Sequence, residues 1–189
     1  TMKYILSVAV LVFLIPQVVR ADVRITEIAW MGTADSQYGE WFELYNDGDS
    51  SVALAGWRIV DGAGTTMYTL SKTISAGGYL LVERVTSSQN PIAAVHDEEG
   101  TFGAGGLSNS GENISLLDSD GSTIHELSYA GGWPAGDAVT KDTMQWNGTS
   151  WITAHPTPKA PAGEVTSTEP PSSDTDVVEE EAEAKSATK

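Results

Sequence analysis

Glu40-Trp41-Phe42-Glu43-Leu44-Tyr45-Asn46-Asp47-Gly48-Asp49 is the stretch that decides the fold class. Its alternation puts Phe42 and Leu44 on one face of a pleated strand and Trp41, Glu43 and Tyr45 on the other. Asn46-Asp47-Gly48-Asp49 then supplies the residue types that close a strand with a turn. Upstream, residues 23–30 are β-branched and aromatic, which again predicts a strand. Their apolar parity slips by one residue between Ile25 and Ile28, as a β-bulge requires.

Downstream the pattern repeats. Residues 56–61, 67–70 and 79–84 read as strands separated by glycine-rich turns, and residues 113–118 and 123–129 as a hairpin across Ser119-Asp120-Gly121-Ser122. Residues 143–146 and 149–153 flank Asn147-Gly148, a pair suited to the left-handed angles of a type I′ turn. About nine short strands with no helix-length apolar periodicity predict an all-β sandwich.

The two ends read differently from this body. Lys3, the apolar run of residues 5–15, Pro16 and the small residues around Ala21 form a signal peptide over residues 1–21, with cleavage between Ala21 and Asp22. The apolar run is too short to span a bilayer, so no stable membrane insertion is expected after cleavage. Residues 22–161 are the size of one domain. Residues 162–189, rich in Pro, Ser, Thr and Glu, form an acidic tail expected to remain disordered, because low apolar content leaves the entropy of ordering uncompensated.

Asp and Glu number 26 against 10 Lys and Arg, a formal net charge of −16. Such a surface does not neutralise phosphates, so no nucleic-acid partner is expected. There is no cysteine, which excludes a disulfide framework, a thiolate metal site and a lipidated N-terminal Cys.

No constellation assembles an enzyme. Glu40 and Glu43 could serve as an acid and base pair, but odd spacing along a strand sends them to opposite faces. Asp118-Ser119-Asp120-Gly121 resembles the opening of a calcium loop, making Asp118 and Asp120 candidate ligands, yet no bidentate Glu follows at the twelfth loop position. His96-Asp97-Glu98-Glu99 has ligand chemistry but reads as a solvated loop. His125 and His155 stand in no ligand spacing. Gly106-Leu107-Ser108-Asn109-Ser110-Gly111 has one residue too many for a nucleophile elbow, and the glycines of residues 103–106 lack the order of a phosphate cradle and read as a flexible loop. Asn113-Ile114-Ser115 and Asn147-Gly148-Thr149 match a glycosylation sequon by coincidence. Among six tryptophans, Trp41 and Trp57 are expected to pack inside, whereas Trp133 and Trp146 are expected to be partly exposed and could form a ligand surface.

The order and spacing of residues 40–46, of Leu54-Ala55-Gly56-Trp57 and of residues 108–118 also resemble the lamin tail domain family, in its exported bacterial form. Gly121, Tyr129, Trp133-Pro134-Ala135-Gly136, Thr143-Met144, Trp151 and Pro156-Thr157-Pro158 extend the resemblance across residues 25–161. It implies an immunoglobulin-like sandwich in which Glu40, Trp41, Glu43, Asn46, Gly56, Trp57, Asn109, Gly111, Glu112 and Gly121 are structural. No heptad rod lies in this sequence, so filament assembly is not expected. The function that follows is a non-catalytic, secreted or cell-envelope binding or structural module with no cofactor and an envelope protein or polysaccharide as partner. Two alternatives are an accessory domain of a secreted hydrolase of nuclease or phosphatase type and a calcium-dependent adhesion module.

Overall fold

Twelve strands and one 3-10 turn appear in the computed structural model, which describes residues 23–84 and 96–163. The expected signal peptide with its cleavage between Ala21 and Asp22, and the expected acidic tail beyond residue 163, lie outside the described residues. The strands are β1 (Val23–Ala29), β2 (Trp41–Asn46), β3 (Val52–Ala53), β4 (Arg58–Asp61), β5 (Thr66–Thr69), β6 (Thr73–Ile74), β7 (Tyr79–Arg84), β8 (Glu98–Gly100), β9 (Asn113–Leu117), β10 (Thr123–Ser128), β11 (Thr143–Trp146) and β12 (Trp151–Ala154). A six-stranded sheet in the order β12-β11-β1-β2-β7-β8 packs on a four-stranded sheet, β10-β9-β4-β5, while β3 and β6 pair separately. This is an immunoglobulin-like β-sandwich.

The core follows from alternation. Ile25, Ile28, Phe42, Leu44, Leu80, Val82 and Met144 of the larger sheet join Ile59, Met67, Ile114, Leu116 and Leu127 of the smaller one in a single buried cluster. Leu54, Leu70 and Ile74 belong to the same cluster and are almost wholly excluded from water. Removing one of these larger aliphatic side chains to Ala costs about 2–5 kcal/mol in such a setting.

All nine expected strands are present, and the register of β1 on β2 shifts between Ile25 and Glu27, where parity predicted a bulge. Three findings differ from expectation. The shorter strands β3, β6 and β8 carry too few residues for an alternation to register. The β11–β12 hairpin is not a two-residue turn: Trp146 pairs with Trp151, leaving residues 147–150 in the loop. Asn147 Oδ1 accepts the N–H groups of Thr149 (3.0 Å) and Ser150 (2.9 Å), and this side-chain closure favours the wider loop.

The third difference is at residues 96–99, which are not a solvated loop. Glu98–Gly100 pairs in parallel with β7, and Glu98 is buried with Oε1 accepting from Ser71 N (2.8 Å) and Lys72 N (2.7 Å). Asp97 Oδ2 takes the Leu81 N–H at 2.8 Å. Acceptors in this run satisfy edge backbone that would otherwise be orphaned, so its polarity has a structural use. The glycine loop before residue 107 likewise holds a 3-10 turn, Gly103–Gly105, in contact with β5.

Candidate functional site

The outer face of the larger sheet carries three buried carboxyl groups. Glu27 of β1 lies directly across from Glu43 of β2, and Glu83 of β7 lies across from Trp41. All three are buried, with relative exposures of 2%, 1% and 0%. An outer sheet face stays dry only when something covers it, and here the chain after β12 folds back as a strap of residues 155–163.

The strap is fastened by its own N–H groups. Glu27 Oε1 accepts from Thr157 N at 3.1 Å and Gln145 Nε2 at 3.0 Å, and also from the Thr143 hydroxyl. Thr157 Oγ1 lies 3.1 Å from Glu27 Oε2, Lys159 N donates to Glu43 Oε2, and Gly163 N donates to Gln145 Oε1 at 2.9 Å. Lys159 holds φ +63°, a left-handed conformation that few side-chain-bearing residues adopt.

Burial pushes the Glu27 carboxyl up to about 7, against the opposing pull of its hydrogen bonds from Thr143, Thr157 and Gln145. Burial likewise pushes Glu43 up to about 8, the neighbouring Glu27 adding to the rise while the Lys159 N–H opposes it. Such carboxyls invite an acid and base reading. Their donors and their burial instead make them the anchor points of the strap. Further along the face, His96 Nδ1 lies 3.0 Å from Glu83 Oε2 and Nε2 lies 3.2 Å from Glu99 Oε2, while Lys159 Nζ meets Asp97 Oδ1 at 2.9 Å.

Glu40 and Glu43 serve separate places. Glu40 forms an ion pair with Arg84 and accepts from Leu107 N at 3.2 Å, fixing the segment that leads into β9. Burial raises its pKa, with Arg84 acting in the opposite direction. Asn46 is fully buried and gathers a turn: Nδ2 donates to Ser50 O (2.8 Å) and Ser75 O (3.0 Å), and Oδ1 accepts from Gly48 N (3.1 Å). Trp41 and Trp57 are buried, and Gly56 and Gly121 sit in turns at φ +83° and +86°. Asn109 is exposed in the turn before β9, where Glu112 Oε2 accepts from Ser108 N at 3.2 Å. Gly111 follows at φ +99°, where any Cβ would collide with Tyr129 O and Gly132 N.

The calcium candidates sit in the β9–β10 hairpin. Asp118 Oδ1 accepts from Asp120 N (3.0 Å) and Ser122 N (2.8 Å), so this oxygen closes its own loop. Asp120 is exposed. Among the described residues, no group of three or more His, Asp or Glu side chains is placed to hold a metal ion.

Trp133 and Trp146 are both half-buried but are not together. Trp133 stacks on Trp30 with ring centroids 6.2 Å apart and donates from Nε1 to Ser108 O at 2.7 Å, which ties it to the fold. Trp146 meets Trp151 edge to face at 5.6 Å. These two rings, with Tyr129, Arg24, Ile25 and His125, line a groove of 510 Å³ where β10 parts from β1, β11 and β12. At the bulge, Ile25 N donates to His125 Nδ1 at 3.2 Å, which fixes the proton of the neutral ring on Nε2. Burial, helped by nearby Arg24, holds the His125 pKa below its usual value.

A family model described as Lamin Tail Domain matches residues 16–131. The chain belongs to that family. No curated protein matches it. The matched part of this lamin tail domain ends before β11, yet β11 pairs with β1 and carries Thr143 and Gln145 of the strapped face. Among the described residues no helix is long and apolar enough to cross a membrane.

The anchoring roles of Glu27 and Gln145, and the burial of Glu83 beside them, escaped the sequence reading, and Thr157 entered it only through the family resemblance. One signal for Glu27 was present: once the bulge resets parity, Glu27 shares the face of Glu43. Nothing local marks Gln145, and Pro156-Thr157-Pro158 carries the resemblance without disclosing its partner, because both uses depend on where the strap returns.

Proposed function

We propose that this lamin tail domain acts outside the cytoplasmic membrane as a non-catalytic binding module, seating an envelope protein or polysaccharide in the groove beside Trp146 and Trp151. The observation that carries the reading is the groove itself. Its size suits a small recognition element, and Tyr129, Trp146 and Trp151 offer apolar ring surface beside the polar groups of Arg24 and His125. The family is one of non-enzymatic immunoglobulin-like domains, and the most perturbed carboxyls serve the strap, both of which support a non-catalytic role. The leader sequence supports export, with cleavage between Ala21 and Asp22.

The test has two parts. Mass spectrometry of the protein recovered outside the cytoplasm of producing cells is expected to show a chain starting at Asp22; a cytoplasmic, full-length chain overturns export. Immobilised full-length protein is then offered separated envelope proteins and envelope polysaccharides. One fraction is expected to be retained by the native chain and released by Trp151→Ala. Retention of neither fraction, or equal retention by the variant, overturns the groove as the binding site.

A further inference from the structure

We propose that residues 155–163 form a pH-operated cover, closed over the Glu27–Glu43 face while these carboxyls hold protons and opened as they ionise. The geometry comes first. Glu27 and Glu43 are directly opposed on neighbouring strands, and both are almost wholly excluded from water. Two carboxylates at such a position repel each other, and a buried charge requires a partner of opposite sign.

The cations beside this face have acidic partners of their own. Lys159 Nζ bonds Asp97, and the Arg24 guanidinium is paired with Asp47 at the mouth of the adjoining cleft. From β7 and the segment beside it come Glu83, His96, Asp97 and Glu99, three acidic groups and one half-buried histidine. From β11 come only the neutral Thr143 and Gln145, and from the strap Thr157 and the Lys159 backbone. The Lys159 charge pulls Glu43 down only weakly, its ammonium being bonded to Asp97, and burial outweighs it.

The direction follows from linkage. With the cover closed, Glu27 and Glu43 titrate near 7 and 8, whereas in contact with water each returns toward 4.5. The closed form therefore binds protons more tightly. Its advantage is complete below about pH 4.5 and is lost as pH rises through 7 and then 8. The strap has no strand pairing and is held by side chains alone: Glu27, Glu43 and Gln145 bond its backbone, and Lys159 pairs with Asp97. Release would widen the cleft that Tyr45, Tyr79, Glu27, Glu43 and Gln145 line and that residues 160–162 of the strap now narrow, leaving it faced by anionic carboxylates.

Amide hydrogen exchange on the full chain, corrected for intrinsic rates, tests the cover directly through the Thr157 and Lys159 N–H groups. From pH 5 to pH 9 their protection is expected to fall about tenfold or more, while that of Ile114 in β9 falls by less. Glu43→Gln keeps an acceptor for Lys159 without ionising, and the pH dependence at Lys159 is expected to flatten in that variant. Glu27→Gln is expected to do the same at Thr157. Constant strap protection across the range overturns the proposal. So does an equal fall at Ile114, which means global unfolding, or a fall that persists in both Gln variants.

Discussion

At the scale of single residues, polar side chains here act on the backbone. Asn46 ends β2 and bonds the carbonyls of Ser50 and Ser75 and the N–H of Gly48, joining two chain segments from a site with no exposure to water. Asn46→Ala would remove these bonds, leaving Ser75 O with only the Gly78 N–H, and the expected loss is about 1–3 kcal/mol in denaturant unfolding, since losing hydrogen bonds from a buried side chain is costly. A loss below about 0.5 kcal/mol would show that water replaces the side chain. Asp118 makes a similar but partly solvated closure of the β9–β10 loop through Asp120 N and Ser122 N. Asp118→Ala is expected to cost about 1 kcal/mol. Added calcium is expected to leave the Tm of the native chain unchanged, whereas a calcium-dependent rise abolished by Asp118→Ala would restore the metal reading of Asp118 and Asp120.

At the scale of elements, what the sequence disclosed and what it concealed separate along a physical line. Strands whose side chains alternate between core and surface announce themselves, and so does the bulge in β1, because parity is a local property. The pairs β3–β6 and β7–β8 do not, since strands of two or three residues are defined by partners distant in the chain. The Glu83, Glu98 and Glu27 positions were opaque for a related reason: a Glu reads as surface until the element covering it is known. The site was legible to a lesser degree. Trp146 marked the groove and Trp151 is its hairpin partner, but His125 joins them only through packing of β10 against the larger sheet, and the return of the strap has no signature in local alternation. The β11–β12 hairpin offers a test at this scale. Asn147→Ala removes the acceptor for Thr149 and Ser150, so amides of β12, an edge strand, are expected to exchange several-fold faster while those of β9 do not change. Equal acceleration in both strands would show that the loop closure supports the whole sandwich.

Over the whole molecule, stability against pH sums groups that pull in opposite directions, and their sizes decide the outcome. Asp61 and Asp137 have lowered pKa values because backbone N–H groups bond their carboxylates, so their contribution is present above about 3.8 and disappears in acid. His125, held neutral by burial, also favours the folded chain at higher pH, its contribution being present above about 6.5 and lost as pH falls below that. Glu27 and Glu43 act the other way, with the largest resolved carboxyl shifts among the described residues, to about 7 and 8 from 4.5. Glu40 and Glu112 are raised in the same sense, again chiefly by burial. The net acidity of the chain, −16 at neutral pH, adds self-repulsion that grows as carboxyls ionise. The raised carboxyls therefore outweigh His125, and Tm is expected to peak between about pH 4 and 5.5 and to decline from there to pH 9. The double variant Glu27→Gln, Glu43→Gln should move the optimum toward neutral pH and raise Tm at pH 8 by several degrees, the scale of about 1–2 kcal/mol in a domain of this size. A Tm that rises from pH 5 to pH 8 in the native chain would mean that Glu27 and Glu43 ionise without penalty, through water or a cation reaching the strapped face, and that burial there is weaker than the packing of residues 155–163 implies.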